Sequence, residues 1–437
     1  MKKINSSVLA LALFVGIANA NAQEKKTLTL DEAVQLGIQN SKNLKIDAAK
    51  IEEATADLLE AKNRQLPELK ISGSYMYLPM KPNVNIKLPG VSTEGGPEVH
   101  QVAYGSANLS VPIYSGGRIK YGIESAKYLV EASKLTTEND KTAIAYNVAQ
   151  AYNNLFKANQ SIKVLEENLT ASQKRDETFL KLENNGVIAR NDRLKANLQT
   201  SNIELQLLEA KNNYKIANIN MDLLLGLPET TEIEVDQNYI EEGEDVKPVD
   251  FYVNEAKENR KDLQALDKQR QAAALGTKAA KAENLPSIVF TGGYVAADIP
   301  KFLTIYNAVN VGVGVSYNLS NLWKENSALK QSKAREMQLS ATNELLNDNI
   351  KLDVNREYQN TDYSKKRILV FEKSAEQANE NYRITKNKYD NGLATMTELL
   401  DADAAQIAAN VGVINAKADA ALAYRKLLQT TGTLTIK

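Results

Sequence analysis

Two carboxylates in the last quarter of the chain have the clearest potential for chemistry. Glu398 and Asp401 follow a turn at Gly392 and are spaced i, i+3, so both side chains project from one face of a helix. Where carboxylates line a narrow and poorly hydrated passage, they attract cations and repel anions. The same spacing suits a solvated acidic face, because acidic residues are common at helix N-termini. From the spacing alone, both interpretations stay open.

Composition removes most familiar enzyme chemistry. The chain has 437 residues, no cysteine and a single histidine, His100. Disulfides, thiolate-bound metals, iron–sulfur clusters and thiol catalysis are excluded, and histidine-based triads or metal sites nearly so. The sequence contains no Gly-x-x-x-x-Gly-Lys-Ser/Thr phosphate loop. With 53 basic against 54 acidic residues, nucleic acid is not expected as a partner. We therefore expect no enzyme, no metal and no cofactor.

The N-terminus has the pattern of a secretory signal. Lys2 and Lys3 precede an apolar run from Val8 to Ala20, which ends in two overlapping Ala-x-Ala sites. This pattern predicts a signal peptide over residues 1–22. A membrane anchor is the alternative, but the run is shorter than the roughly 20 residues of a spanning helix. Since no later stretch is apolar enough for such a helix, a membrane location would require a barrel of strands.

The chain contains two related halves. An offset of 219 residues pairs Pro67 with Pro286, and an offset of 206 residues pairs Gly186 with Gly392. The change in offset lies in a Pro- and Gly-rich stretch of the first half, which predicts one longer loop there. The predicted domains are a first repeat over 23–228, an acidic connector or equatorial region over 229–250, and a second repeat over 251–437. The connector has eight acidic residues and no Lys or Arg between positions 229 and 246, so we expect it on the surface.

Each repeat is predicted to contain a helix, a strand pair and a long helical hairpin. The first helix should end at Pro67 and its equivalent at Pro286, since proline cannot continue a helix. The strand pairs are predicted over 70–113 and 287–320, and the hairpins over 118–226 and 322–430. Each hairpin would turn at a glycine, Gly186 or Gly392, which favours the left-handed conformation at a helix end.

The predicted strands alternate strictly. In the clearest of the four, valines at 309, 311, 313 and 315 alternate with small or polar residues. The segments are about 9 to 11 residues long, which is typical of strands that cross a bilayer. An ordinary half-buried sheet in a soluble protein is the alternative. Four strands cannot close a spanning barrel, so a membrane location would require strands from several chains.

The long helices have a coiled-coil pattern. Residues 118–185 contain no proline and would extend roughly 100 Å as a helix. Apolar or small residues recur there with alternating gaps of four and three, which predicts a coiled-coil seam: Ile144, Val148, Ala151, Leu155, Ala158, Ile162, Leu165 and Leu169. A helical hairpin that only tethers partners is the alternative.

The chain resembles the TolC-like outer membrane efflux proteins over nearly its full mature length. The resemblance rests on the paired halves, the two prolines, the glycine turns and the strand-to-helix junction Val111-Pro112-Ile113-Tyr114-Ser115-Gly116-Gly117-Arg118. The second copy of that junction, over 317–322, lacks the Gly-Gly-Arg. The resemblance implies an α+β membrane protein and a homotrimer, with four transmembrane strands per chain in a 12-stranded β-barrel and coiled-coil helices in a periplasmic α-barrel.

The resemblance also implies function, partners and location. The protein would be the passive exit duct of a tripartite efflux or type I secretion system, in the outer membrane with a periplasmic helical extension. A periplasmic adaptor would join it to an inner-membrane pump of the RND or ABC type, and outer-membrane lipid would surround its strands. The alternative is a periplasmic coiled-coil adaptor or structural protein that forms no pore.

By the same resemblance, both hairpin turns are predicted to dock the adaptor. The docking residues are Gly186, Val187, Ile188, Ala189 and Arg190 in the first turn, and Gly392, Leu393, Ala394, Thr395 and Met396 in the second. Glu398 and Asp401 match the two carboxylate positions at the narrowest part of the family's closed duct, which we call the gate.

A further pair matches a link between helices of the closed gate. Asp192 and Tyr389 occupy the positions of this hydrogen-bonded pair in the family. The family's other link needs a basic residue at the position of Ala394, with Asn191 opposite it. Because Ala394 carries no charge, we expect closure to depend more on Asp192 and Tyr389.

Overall fold

A computed structural model of the chain describes residues 25–80, 99–237, 239–240, 245–300 and 302–435. The predicted signal peptide and most of the longer loop lie outside these residues. The chain divides into two compact units. The first unit comprises the described residues up to Lys45 together with Glu138–Arg260 and Asp348–Lys437, and the second comprises Ile46–Thr137 and Lys261–Asn347. Each unit therefore contains segments of both repeats.

The same order of elements occurs in both repeats. The first repeat contains β1 (Lys25–Leu28), α1 (Leu30–Asn40), α2 (Lys42–Asn63), β2 (Glu68–Tyr77), β3 (Gln101–Tyr114), α3 (Arg118–Asn184) and α4 (Arg190–Leu225). After β4 (Glu232–Val235), the second contains α5 (Val249–Asn259), α6 (Lys261–Ala282), β5 (Ser287–Ile299), β6 (Leu303–Ser316), a short 3₁₀ helix (Leu319–Leu322), α7 (Ser327–Asp390) and α8 (Met396–Thr431).

The opening helix of each repeat is broken, which the sequence analysis did not predict. Ser41 separates α1 from α2, and Arg260 separates α5 from α6 at the equivalent position. Both residues leave the helical conformation, with ψ of 122° and 120°. The Ser41 hydroxyl accepts a hydrogen bond from the N–H of Leu44 at 3.3 Å, so it caps the start of α2. The Arg260 guanidinium instead donates to the carbonyl of Thr430 at 3.1 Å.

The core of the first unit forms around the predicted seam of α3. Val148, Ala151 and Leu155 of the seam are buried there together with the adjacent Tyr152, against Met221 and Leu225 of α4. Burying side chains of this size contributes roughly 1.5–3 kcal/mol each. The seam therefore faces the interior, as the alternating gaps of four and three require.

The acidic segment after α4 is more than a surface connector. Within it, β4 pairs in parallel with β1, so that Leu28 lies opposite Val235. Because side chains alternate along a strand, Glu232 and Glu234 point away from the core while Ile233 and Val235 are buried in it. The Tyr152 hydroxyl fixes this small sheet to α3, since it donates to Leu28 O at 2.8 Å and accepts from Asp236 N at 2.7 Å.

The second unit contains an antiparallel sheet with the strand order β2-β3-β5-β6. The register aligns its apolar positions on one face, for example Ile71, Ala107, Tyr294 and Val309 across the four strands. Ile71 and Val311 are 78% and 72% exposed on this face. The other face carries small polar groups, and the hydroxyls of Ser72 and Ser106 lie 2.8 Å apart on it. Among the described helices, none has a stretch apolar and long enough to cross a membrane.

Candidate functional site

Two glycine turns end the long helices of the first unit. Gly186 joins α3 to α4 and Gly392 joins α7 to α8, with φ of 68° and 71°. The residue after each glycine donates its N–H to the carbonyl five residues earlier, at 2.9 Å for Val187 and 2.8 Å for Leu393. These bonds define a Schellman motif in each turn. Left-handed φ values are strained for other residues, which explains the glycine at both positions.

The two turns differ from most such motifs in what they expose. A Schellman motif usually packs the residue after the glycine against the helix, yet Val187 is 67% and Leu393 is 77% exposed. The other predicted docking residues are exposed or half-buried except for Met396, which is only 3% exposed. Met396 therefore packs inside the hairpins, and any docking surface at the second turn begins before it.

A small core lies beneath the turns. Phe179 of α3, Ala196 of α4, and Met396 and Leu399 of α8 are buried together, and Tyr389 packs on this cluster. The rings of Phe179 and Tyr389 are 5.9 Å apart and tilted by 60°, within the range for favourable aromatic pairs. The two hairpins thus hold each other near their ends through apolar contacts.

Glu398 has a structural role in addition to its charge. Thr395 is the N-cap of α8, and its N–H and hydroxyl donate to one oxygen of the Glu398 carboxylate at 2.7 and 2.9 Å. The Glu398 N–H donates back to the Thr395 hydroxyl at 3.2 Å, which completes a capping box. The backbone bond and then the hydroxyl bond lower the pKa of Glu398. The sequence Thr-x-x-Glu could have predicted this cap.

Asp401 lies one turn further along α8. Its side chain is exposed, as is that of Glu398. The structure therefore leaves both predicted gate carboxylates accessible, on one side of α8 near its start. The predicted role at a constriction stays a prediction, because one chain does not define a passage.

Asp192 and Tyr389 lie near one another, but the described residues show no hydrogen bond between them. Burial, followed by the charges of Asp192 and Asp390, raises the pKa of Tyr389. The Asp192 carboxylate lies 3.6 Å from Nζ of Lys195. The same Nζ donates to the hydroxyl of Thr397 on α8 at 3.4 Å. A basic residue from α4 thus reaches the first turn of α8. The predicted Asp192–Tyr389 link stays a prediction.

A buried ion pair that the sequence analysis missed lies above the small core. Nη2 of Arg175 on α3 donates to Oδ2 of Asp403 on α8 at 2.6 Å, and Nη1 donates to the hydroxyl of Tyr382 on α7 at 3.3 Å. The side chains of Arg175 and Asp403 are 14% and 7% exposed. The sequence contained one indication that Asp403 is buried, because it lies four residues after Leu399 and therefore on the same, buried face of α8.

Comparison with known proteins assigns the family. A family model described as outer membrane efflux protein matches residues 33–227 and again residues 252–433. The chain therefore belongs to the outer membrane efflux protein family. The match in both halves confirms the predicted family and the two repeats. No curated protein sequence matches the chain.

Solved structures show the same fold. The outer membrane protein VceC from Vibrio cholerae is 17% identical, with a TM-score of 0.75 over 92% of this chain and 96% of its own. The CmeC outer membrane channel of Campylobacter jejuni is 18% identical, with a TM-score of 0.76 over 93% and 86%. The open state of the Neisseria gonorrhoeae MtrE outer membrane channel is 18% identical, with a TM-score of 0.72 over 93% and 89%. The predicted fold class and outer-membrane location are confirmed.

Proposed function

We propose that the protein is the passive exit duct of a tripartite efflux or type I secretion system and works as a homotrimer. The observation that carries the proposal is the four-stranded sheet, whose apolar face is exposed on the outer strands β2 and β6 and largely half-buried on the central strands β3 and β5. Exposed apolar surface of this kind marks a contact with lipid or protein. Outer-membrane lipid is the environment that matches a continuous apolar face of strands about 10 to 14 residues long.

The edges of the sheet support assembly from several copies. In the described chain, β2 and β6 each pair with one neighbouring strand, so each has one edge without a partner. In lipid, unpaired N–H and C=O groups cost several kcal/mol each. Pairing β6 of one copy with β2 of the next would satisfy both edges and close the sheet.

A second surface supports the same assembly. Along α4, large apolar side chains are exposed at positions that recur every three, four, seven or eight residues: Leu194, Leu198, Leu205, Leu208, Ile216, Ile219 and Leu223. Such a stripe on a helix is typical of packing against another helix. We assign this stripe to the contact between copies in the trimer.

The turns support docking to a periplasmic adaptor. Val187 and Leu393 present apolar side chains at the ends of their hairpins, where no described residue covers them. An adaptor that binds both turns would cover these side chains and connect the duct to an inner-membrane pump of the RND or ABC type. Energy would come from that pump, since the duct is proposed to be passive.

The proposed gate consists of Glu398 and Asp401 from each copy. Both carboxylates are exposed on α8 near the ends of the hairpins. Three copies would place them in two rings around the passage, where they attract cations more strongly as the passage narrows.

The test is conductance and reversal potential of detergent-extracted protein in planar bilayers. We compare the parent with Glu398→Gln/Asp401→Asn, in which glutamine keeps the capping box and only the charge is lost. Glu376→Gln, an exposed acidic residue of α7, is the control for loss of charge. We expect cation-selective channels in the parent and control, and larger conductance with weaker cation preference in the double variant.

Each other outcome contradicts a different part of the proposal. Folded protein that forms no channels would contradict the duct and support an adaptor without a pore. Channels that do not respond to the double substitution would keep the duct and contradict the gate.

A further inference from the structure

We propose that Arg175 is a positioning residue for the gate. Its contact with Asp403 fixes the rotation of α8 about the helix axis, and this rotation determines where the side chains of Glu398 and Asp401 point. The inference rests on the proposed function, since it concerns the same two carboxylates.

The contact joins three helices through one guanidinium. Arg175 reaches Asp403 on α8 with one nitrogen and Tyr382 on α7 with the other, and Tyr382 also packs on the small core beneath the turns. Because the pair is almost fully buried, separating it leaves a charge without a partner in a dry environment. A planar guanidinium also fixes direction, since its donors lie in a rigid fork.

Helix geometry links this contact to the gate. Successive residues of a helix are turned by about 100°, so Asp403 points about 200° from Asp401 and about 140° from Glu398. When Asp403 faces Arg175, both gate carboxylates must therefore face away from α3. The burial agrees with this arrangement, because Asp403 is buried while Glu398 and Asp401 are exposed. Any rotation of α8 that breaks the pair also redirects both carboxylates.

A second ion pair between the same helices provides a matched control. Asp419 of α8 accepts from Nζ of Lys157 on α3 at 2.8 Å and from Nη1 of Arg367 on α7 at 3.3 Å. It lies 16 residues after Asp403, or about 24 Å along the helix. These side chains are 27% to 34% exposed, so water can replace their contacts at little cost. We therefore expect removal of Lys157 to leave the orientation of α8 near the gate unchanged.

The experiment measures the orientation of α8 within one chain. Because the chain has no cysteine, Ala408→Cys and Gln173→Cys can carry spin labels without interference from other thiols. Ala408 is exposed and lies about 20° from Asp401 around α8, and Gln173 is exposed on α3. Full-length labelled protein, diluted in unlabelled protein, gives the label-to-label distance by pulsed electron paramagnetic resonance.

The variants distinguish a change in the orientation of α8 from the general effect of losing an ion pair and from misfolding. Arg175→Met should shift the label-to-label distance, or broaden its distribution, by about 3 Å. A point on the surface of a helix of about 5 Å radius moves by this amount when the helix turns by about 40° about its axis. Lys157→Met should keep the parent distance. Should Arg175→Met fail to fold, Arg175→Met/Asp403→Leu replaces the buried pair by apolar side chains, which typically restores stability. We expect that double variant to fold and still to show the altered distance.

A parent-like distance in folded Arg175→Met/Asp403→Leu would overturn the inference. An equal shift in Lys157→Met would also overturn it, because the effect would then belong to any ion pair between these helices. The distance is measured within one chain, so it is informative even if bilayer recordings show no channels. Failure of the proposed function is therefore distinguishable from failure of this inference.

Discussion

Replacing Asp222 by Asn should stabilise the first unit at neutral pH. The Asp222 side chain on α4 is fully buried, and one of its carboxylate oxygens accepts from Nδ2 of Asn218 at 2.9 Å. The other oxygen has no hydrogen-bond partner among the described residues. Burial, followed by the negative charge of Glu229, raises the pKa of Asp222 from 3.8 to about 6. A buried carboxylate with an unpaired oxygen is therefore charged at pH 7 at the expense of stability.

The sign and the size follow from this pKa. Below pH 3.8 the carboxyl of Asp222 is protonated in both the folded and the unfolded chain, so it costs nothing. Between pH 3.8 and about 6 the folded chain holds the proton more tightly, and stability falls as pH rises. Above that range the full cost remains, about 3 kcal/mol for a shift of about two units. Because local relaxation admits water, we expect Asp222→Asn to gain about 1–3 kcal/mol at pH 7.

The assay is thermal unfolding of detergent-solubilised protein, followed by circular dichroism from pH 4 to pH 7.5. The difference in stability between Asp222→Asn and the parent should grow from pH 4 to about pH 6 and then level off. Asp348→Asn, whose carboxylate is exposed and pairs with Lys351 at the surface, is the control and should change stability by less than about 0.5 kcal/mol. A difference that does not vary with pH, or a less stable variant at pH 7, would refute the argument for a costly buried charge.

Further substitutions test other contacts. Tyr152→Phe removes both hydrogen bonds that fix the small sheet to α3, and it should lower the free energy of unfolding by about 1–3 kcal/mol in the same melting assay. Gly412→Ala would place its Cβ 2.6 Å from the ring of Phe371 and should lower the free energy of unfolding by about 1–3 kcal/mol. Gly276→Ala is the matched comparison, since its Cβ would meet open space, and it should stabilise α6 by about 0.5–1 kcal/mol. Glu398→Ala should accelerate amide hydrogen exchange in the first turn of α8 relative to Glu398→Gln, because only glutamine keeps the capping box.

The long helices and strands could be predicted because each is defined by a residue pattern within its own stretch of sequence. The proline-free stretch after Arg118 and its alternating gaps of four and three place a continuous apolar face on α3, and the residues of that face are buried or half-buried in the structure. Strict alternation likewise placed the valines of β6 on one face of the sheet. These patterns repeat over many residues, so one exception does not change the prediction.

Short or single-residue features were missed for the opposite reason. The break at Ser41 depends on one backbone conformation, and the equivalent break at Arg260 has a different side chain. The two breaks share only an asparagine before them and a Lys-x-Leu after them, which does not by itself predict the end of a helix. The strand β4 contains only four residues in a strongly acidic segment. Its acidic residues led to the prediction of a surface connector, although the alternation of Ile233 and Val235 indicated a strand with one buried face.

The geometry of the site depends on contacts between residues that lie far apart in the sequence, and the sequence alone does not show which of these contacts form. Arg175 and Asp403 are 228 positions apart, and only the fold brings them together. Asp401 and Asp403 are nearly adjacent and chemically alike, yet α8 exposes the first and buries the second. Spacing identified a pair of carboxylates on one face, but the packing of α8 decides which acidic residues stay accessible.

Capping and gating are compatible roles for Glu398, and the cap strengthens the proposed charge effect. The bonds from Thr395 hold the carboxylate at the start of α8 and lower its pKa, so it stays ionised in mildly acidic surroundings. An unrestrained side chain could turn away from the passage, whereas this one is tied to the first turn of the helix. The direction of the charge then depends on the rotation of α8, which is the variable that the buried contact of Arg175 with Asp403 restricts.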